Sequence, residues 1–179
     1  MSRPISLSKR YDTDSIRNEC RDAQLRLSQI FQGDQETKHS DLIAALIKFR
    51  SLKKYELALS KWEFYVNELY IEASSKNASF TTDVLDNSSQ VLKTLNSHFR
   101  RDHLFLEVPD ACPGESDNFM FVWNKGEHYL ECEIFGNGAV EFFYKNRSSD
   151  EVWGEDTTVD EKLTSAILKK LILFVSAER

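Results

Sequence analysis

Three glutamates, Glu131, Glu133 and Glu141, are set among aromatic residues in the stretch 119–147, FMFVWNKGEHYLECEIFGNGAVEFFYKNR. Residues of these types can do two kinds of chemistry. As hard oxygen ligands the carboxylates can hold a divalent cation, and joined by His128, His98 or His103 they would suit a metal-dependent hydrolase or nuclease. As a surface, the same carboxylates steer a basic protein partner while Tyr129, Phe143 and Phe135 supply anchoring area. The plainest outcome is a solvated face screened by Lys145 and Arg147, since exposed charges contribute little by themselves.

Other chemistry finds little footing in the sequence. Cys132 and His128 are four apart on one expected strand, on the same side but ~13 Å apart at a ~3.3 Å rise, too far for a nucleophile and its base. Cys132 therefore reads as a core residue. His98 and His103, five apart, match neither the i, i+4 pair of a zinc helix nor HExxH. Cys20, Cys112 and Cys132 are widely spaced without a CxxC pair, which indicates neither a zinc site nor a disulfide framework. There is no GxSxG elbow, phosphate-cradling loop or Rossmann fingerprint, and Gly136-Asn137-Gly138 is a hairpin turn. No cofactor is expected. Lys48, Arg50, Lys53, Lys54 and Lys61 form a basic helical segment, but Glu56, Glu63 and Glu68 interleave with its end, so it reads as a solvated face. Nucleic-acid binding through it is the weaker alternative and predicts steep salt dependence.

These residues need elements to place them. The stretch 119–147 reads as a three-stranded antiparallel meander cut at Asn124-Lys125-Gly126 and Gly136-Asn137-Gly138, where glycine supplies positive φ. A three-residue loop ending in a left-handed Gly138 sets Ile134 against Val140, Cys132 against Phe142 and Leu130 against Tyr144, an apolar face fit for a core. The other face then pairs Phe135 with Ala139, Glu133 with Glu141, Glu131 with Phe143 and Tyr129 with Lys145. A two-residue loop would mix polar with apolar on both faces and is rejected. Phe119, Phe121 and Trp123 alternate with Met120 and Val122, so the first strand has no polar face and its register is open, although it belongs in a covered position.

Upstream, Asp12, Thr13 and Asp14 offer caps to a helix with Ile16, Cys20, Ala23, Leu27 and Ile30 on one side, closing at Gly33 after a loose or docked N-terminal tail. The connection 34–40 is short enough to make an antiparallel helical hairpin with the next helix. That second helix keeps helical spacing from Leu42 to Ala73, with a kink near Ser51 allowed, and suits a bundle, a coiled coil or a homodimer along its length. A polar break at 74–79 precedes a helix within 82–101, which Asn87-Ser88-Ser89 can interrupt. Residues 104–108 can form a further strand, and 109–118, with two prolines and Gly114, reads as a linker. The domain reading is a helical region 1–108, the linker, and a meander with its helix at 119–179. After 147, Val152 and Trp153 offer a short edge strand. Thr158-Val159-Asp160-Glu161 reads as a capping box for a closing helix laid across the apolar face.

The 179 residues carry a net charge of −6, with 41 % hydrophobic and 29 % charged residues, ordinary for a globular chain able to bury a core. This mild acidity disfavours nucleic acid as the main partner. The N-terminus lacks the apolar segment of a secretory signal, and no run approaches the ~18 apolar residues of a membrane span. A reducing cytoplasmic setting without a membrane is expected, in which the three Asn-x-Ser triplets are chance matches. The run WNKGEHYLECEIFGNGAVEFFYKNR followed by WGED resembles a strand-turn-strand pattern of uncharacterised small bacterial and mobile-element proteins. The resemblance falls within residues 119–156 and implies an α+β fold without an activity or catalytic residues. The sequence thus points to an α+β protein, non-enzymatic, that occupies a partner protein's surface in the manner of an accessory, immunity or inhibitor protein. The partner-binding residues expected are Glu131, Glu133, Glu141, Tyr129 and Phe143.

Overall fold

Apolar spacing along the first two helices produces a paired unit in the computed structural model, which describes residues 13–32, 39–73, 80–100, 104–114 and 117–176. The N-terminal tail, the helix closure at Gly33, most of the 34–40 connection, the 74–79 break and His103 lie outside the described residues. Helix α1 (Thr13–Gln32) and helix α2 (His39–Ala73) pack together. Ile16 and Cys20 sit against Leu52, Tyr55 and Leu59, all buried, and Arg17 lies 3.9 Å from Glu56. With 35 residues, α2 is about 52 Å long at ~1.5 Å per residue, and it is one helix through Ser51. Helix α3 (Thr82–Arg100) is also unbroken. Ser88 and Ser89 do not interrupt it, because their hydroxyls donate to the Val84 and Leu85 carbonyls at 2.7 and 2.8 Å and are satisfied within the helix.

The sheet is larger than the three strands expected. Strands β1 (Phe105–Leu106), β2 (Asp110–Pro113), β3 (Asn118–Lys125), β4 (His128–Phe135), β5 (Ala139–Asn146), β6 (Val152–Thr158) and β7 (Val175–Ser176) form two antiparallel sheets. One has five strands in the order β2-β3-β4-β5-β6, and the other pairs β1 with β7. Residues 109–118, read as a linker, thus hold an edge strand, and the polar connection after 147 contains a full seven-residue strand rather than a short one. The β4–β5 register is the one the three-residue loop requires, with Ile134 opposite Val140, Cys132 opposite Phe142, Leu130 opposite Tyr144 and Glu133 opposite Glu141. Gly138 takes φ +88° and its N–H donates to the Phe135 carbonyl at 3.0 Å. The first hairpin turns tighter than expected, at Gly126-Glu127, so Asn124 and Lys125 stay in β3.

The open register of β3 is now fixed: Phe119 faces Ile134, Phe121 faces Cys132 and Trp123 faces Leu130. Met120 and Val122 point the other way, between β2 and β4, which explains an interior strand with no polar face. Helices α2 and α3 pack on the inner side, and α1 packs on α2. Trp62 of α2 meets Phe119 and Phe121 edge-on, at 5.7 and 5.3 Å between ring centroids. Val84, Leu85, Leu92 and Leu95 of α3 join them in one core with Leu130, Cys132, Ile134, Phe142 and Tyr144.

The closing helix differs most from expectation. Residues 158–161 do not cap it: Val159 and Asp160 turn, and helix α4 (Ser165–Leu171) starts at Thr164, whose hydroxyl accepts from the Ile167 N–H at 3.3 Å. It has seven residues and continues as one 3₁₀ turn, Ile172–Phe174. Ile167, Leu171 and Phe174 still reach the core. The local cause is that Thr158 is held as the last residue of β6, opposite Ala139.

Candidate functional site

Strict alternation along β2 to β6 leaves the outer face of the sheet to the side chains that do not enter the core. Apart from Asn118 at one corner, every outer-face residue is half-buried or exposed. Pairing places Glu133, Glu141 and Asp156 side by side across β4, β5 and β6. The neighbouring row runs Asp110, Val122, Glu131, Phe143 and Gly154. Five carboxylates therefore share one face. Asp110 and Asp156 are the additions to the expected set, hidden in the sequence because β2 and β6 were not read as full strands.

Individual contacts order this face. The Tyr129 hydroxyl donates to Glu131 Oε2 at 2.5 Å, and the Asn118 side-chain amide donates to Glu133 Oε1. Tyr129 meets Phe143 at 6.5 Å with rings inclined at 66°, and the Arg147 guanidinium sits 5.6 Å from the Tyr129 ring centre. Cationic screening is therefore gathered at one end, around Tyr129. Burial, followed by donation to the Glu131 carboxylate, pushes the Tyr129 phenol up to about 12. Phe143, in the row next to Glu141, keeps 41 % of its surface exposed, and Val152, one row further and opposite Lys145, keeps 60 %.

His128 and His98 do not join the carboxylates of the outer face. His128 lies on the inner face, where its Nδ1 is 2.8 Å from the Tyr144 hydroxyl and its ring stacks on Tyr144 at 6.0 Å. His98 stands edge-on to Phe99 at 5.2 Å. Among the described residues no three His, Cys, Asp or Glu side chains are grouped so as to hold a metal ion. Cys132 is wholly buried on the inner side, and burial pushes its thiol well up.

One cluster escaped the sequence reading. At the end of the inner face, Lys170 Nζ lies 4.1 Å from the Tyr144 ring centre and 2.6 Å from Glu151 Oε1. These groups and His128 border a cleft of ≈ 390 Å³ with Asn146 and Trp153. The register already made His128 and Tyr144 diagonal neighbours, whereas Lys170 and Glu151 arrive from elements that only tertiary packing brings near. The basic segment of α2 is exposed: Lys48 edges a groove against α1, Arg50, Lys53, Lys54 and Lys61 are exposed as well, and Lys53 pairs with Glu56 at 2.8 Å.

Comparison with protein-family models, with curated proteins and with solved structures returns no match to this chain. Among the described residues no helix is long and apolar enough to cross a membrane.

Proposed function

We propose that this protein is a non-enzymatic binding protein, of accessory, immunity or inhibitor type, whose outer sheet face covers a basic surface on another protein. The observation that carries this reading is the Glu133–Glu141–Asp156 row. Like charges directly opposite one another weaken a sheet, and a partner's lysines and arginines would turn that repulsion into attraction. Phe143 in the neighbouring row supplies the apolar anchor such a contact needs, with Val152 one row further, opposite Lys145. The charges set encounter rate and choice of partner, and the anchors set lifetime.

The test is capture from nuclease-treated host lysate with the wild-type chain and with Glu131→Gln/Glu133→Gln/Glu141→Gln in parallel, followed by titration of the captured protein at rising salt. A stoichiometric partner held by the wild type should bind the triple variant at least about tenfold more weakly, roughly 1.4 kcal/mol, and with a weaker salt dependence. Equal affinity with an equal salt slope would reject this face.

A further inference from the structure

Helix α2 has a second apolar side that the fold does not use. Leu52, Tyr55, Leu59, Trp62, Val66 and Leu69 turn into the two cores. On the opposite side Leu57, Phe64 and Ile71 are 58, 64 and 77 % exposed, with Ile43 and Ile47 also exposed near the helix start. Leu57, Phe64 and Ile71 follow one another at intervals of seven, about two helical turns, so they fall in one line along the helix, and the same line runs back through Arg50 to Ile43. Rotating α2 cannot hide that line, because it would expose Trp62 and its neighbours. Single exposed apolar residues are commonplace, whereas three in succession along one line, Leu57, Phe64 and Ile71, mark a contact surface.

The charges beside the line name its occupant. Arg50, Lys53, Lys54 and Lys61 are exposed toward its first half and centre, and Glu68 and Glu72 toward its end. We propose that α2 pairs antiparallel with α2 of a second copy, about a two-fold axis level with Leu59. In that register Ile47 meets Ile71 of the other copy, Arg50 meets Glu68, Lys54 lies along Phe64 and Lys61 along Leu57. Apolar meets apolar at both ends, opposite charges face each other, and the two lysine stems cover the aromatic and leucine side chains. A parallel pair would instead set each cation of the basic half against its own copy, and Glu68 against Glu68. The contact lies on α2 alone and leaves the acidic sheet face free, so it stands or falls independently of the protein partner proposed above.

Sedimentation equilibrium between about 1 and about 100 µM should give twice the 20.8 kDa mass of one chain at the upper end. Leu57→Lys/Phe64→Lys, two surface changes, should return the monomer with an unaltered circular dichroism spectrum. A wild type monomeric at the upper concentration, or a double variant still dimeric, overturns the proposal. Orientation is read by oxidative cross-linking in a Cys112→Ser background. Ile47→Cys with Ile71→Cys in one chain should give a covalent dimer, and neither change alone should, since like positions lie about 36 Å apart in the antiparallel pair at ~1.5 Å per residue. Cross-linking by either single variant would mean a parallel pair and overturn the register.

Discussion

Tyr129 is held by two different forces, and they can be separated. Its hydroxyl donates to Glu131, yet burial is the larger cause of its shift to about 12 and the carboxylate the smaller. In Glu131→Gln the phenol should therefore titrate lower than in the wild type but remain above the ordinary value near 10. The difference in tyrosinate absorbance between each protein and its Tyr129→Phe counterpart isolates this one group. A full return to the ordinary value would mean that the hydrogen bond is the main force. The sign for stability follows. Tyr129 is neutral in both folded and unfolded chains below about pH 10, so its contribution is intact there. Between about 10 and about 12 the unfolded chain loses the proton first, and the contribution falls away as pH rises through that window.

At the scale of elements, the β4–β5 hairpin rests on Gly138, whose φ of +88° suits a residue without a side chain. A Cβ there would meet Val159 Cγ2 at an ordinary 3.5 Å, so Gly138→Ala tests backbone conformation with little crowding. It should cost about 1–2 kcal/mol, read from the urea midpoint at unchanged slope. The three long helices and this hairpin were legible because each buries one side continuously, which leaves its period in the sequence. Strand β6 was not, because its inward positions Trp153, Glu155 and Thr157 are mostly polar at the edge of the sheet. Strand β2 was hidden by Pro113 and by having four residues. The capping pattern at 158–161 misled for a similar reason: pairing of Thr158 with Ala139 outweighs a local cap. Of the candidate face, Glu131, Glu133, Glu141, Tyr129 and Phe143 followed from one correct register, while Asp156 needed the strand that the pattern concealed.

Across the whole molecule, α2 belongs to both cores, the smaller one with α1 and the larger one with the sheet. Trp62 is its main anchor in the larger, edge-on to both Phe119 and Phe121. Trp62→Ala should cost about 3–5 kcal/mol, a large part of the ~5–15 kcal/mol typical of a folded domain, and chemical denaturation would show it. A second aromatic truncation, on the outer face, Phe143→Ala, should cost far less, and similar losses at both positions would contradict the division into inner and outer sides. The sheet itself is a run of neighbouring hairpins, each closed within a few residues. The clasp between β1 and β7 is of another kind, joining Leu106 to Val175 across about seventy residues. Contacts so far apart along the chain bear the greatest cost in lost chain freedom. Ile167, Leu171 and Phe174 share one buried cluster with Leu106, Leu130 and Tyr144, so the same closure that pairs β1 with β7 also brings the end of the described chain onto the inner face of the sheet.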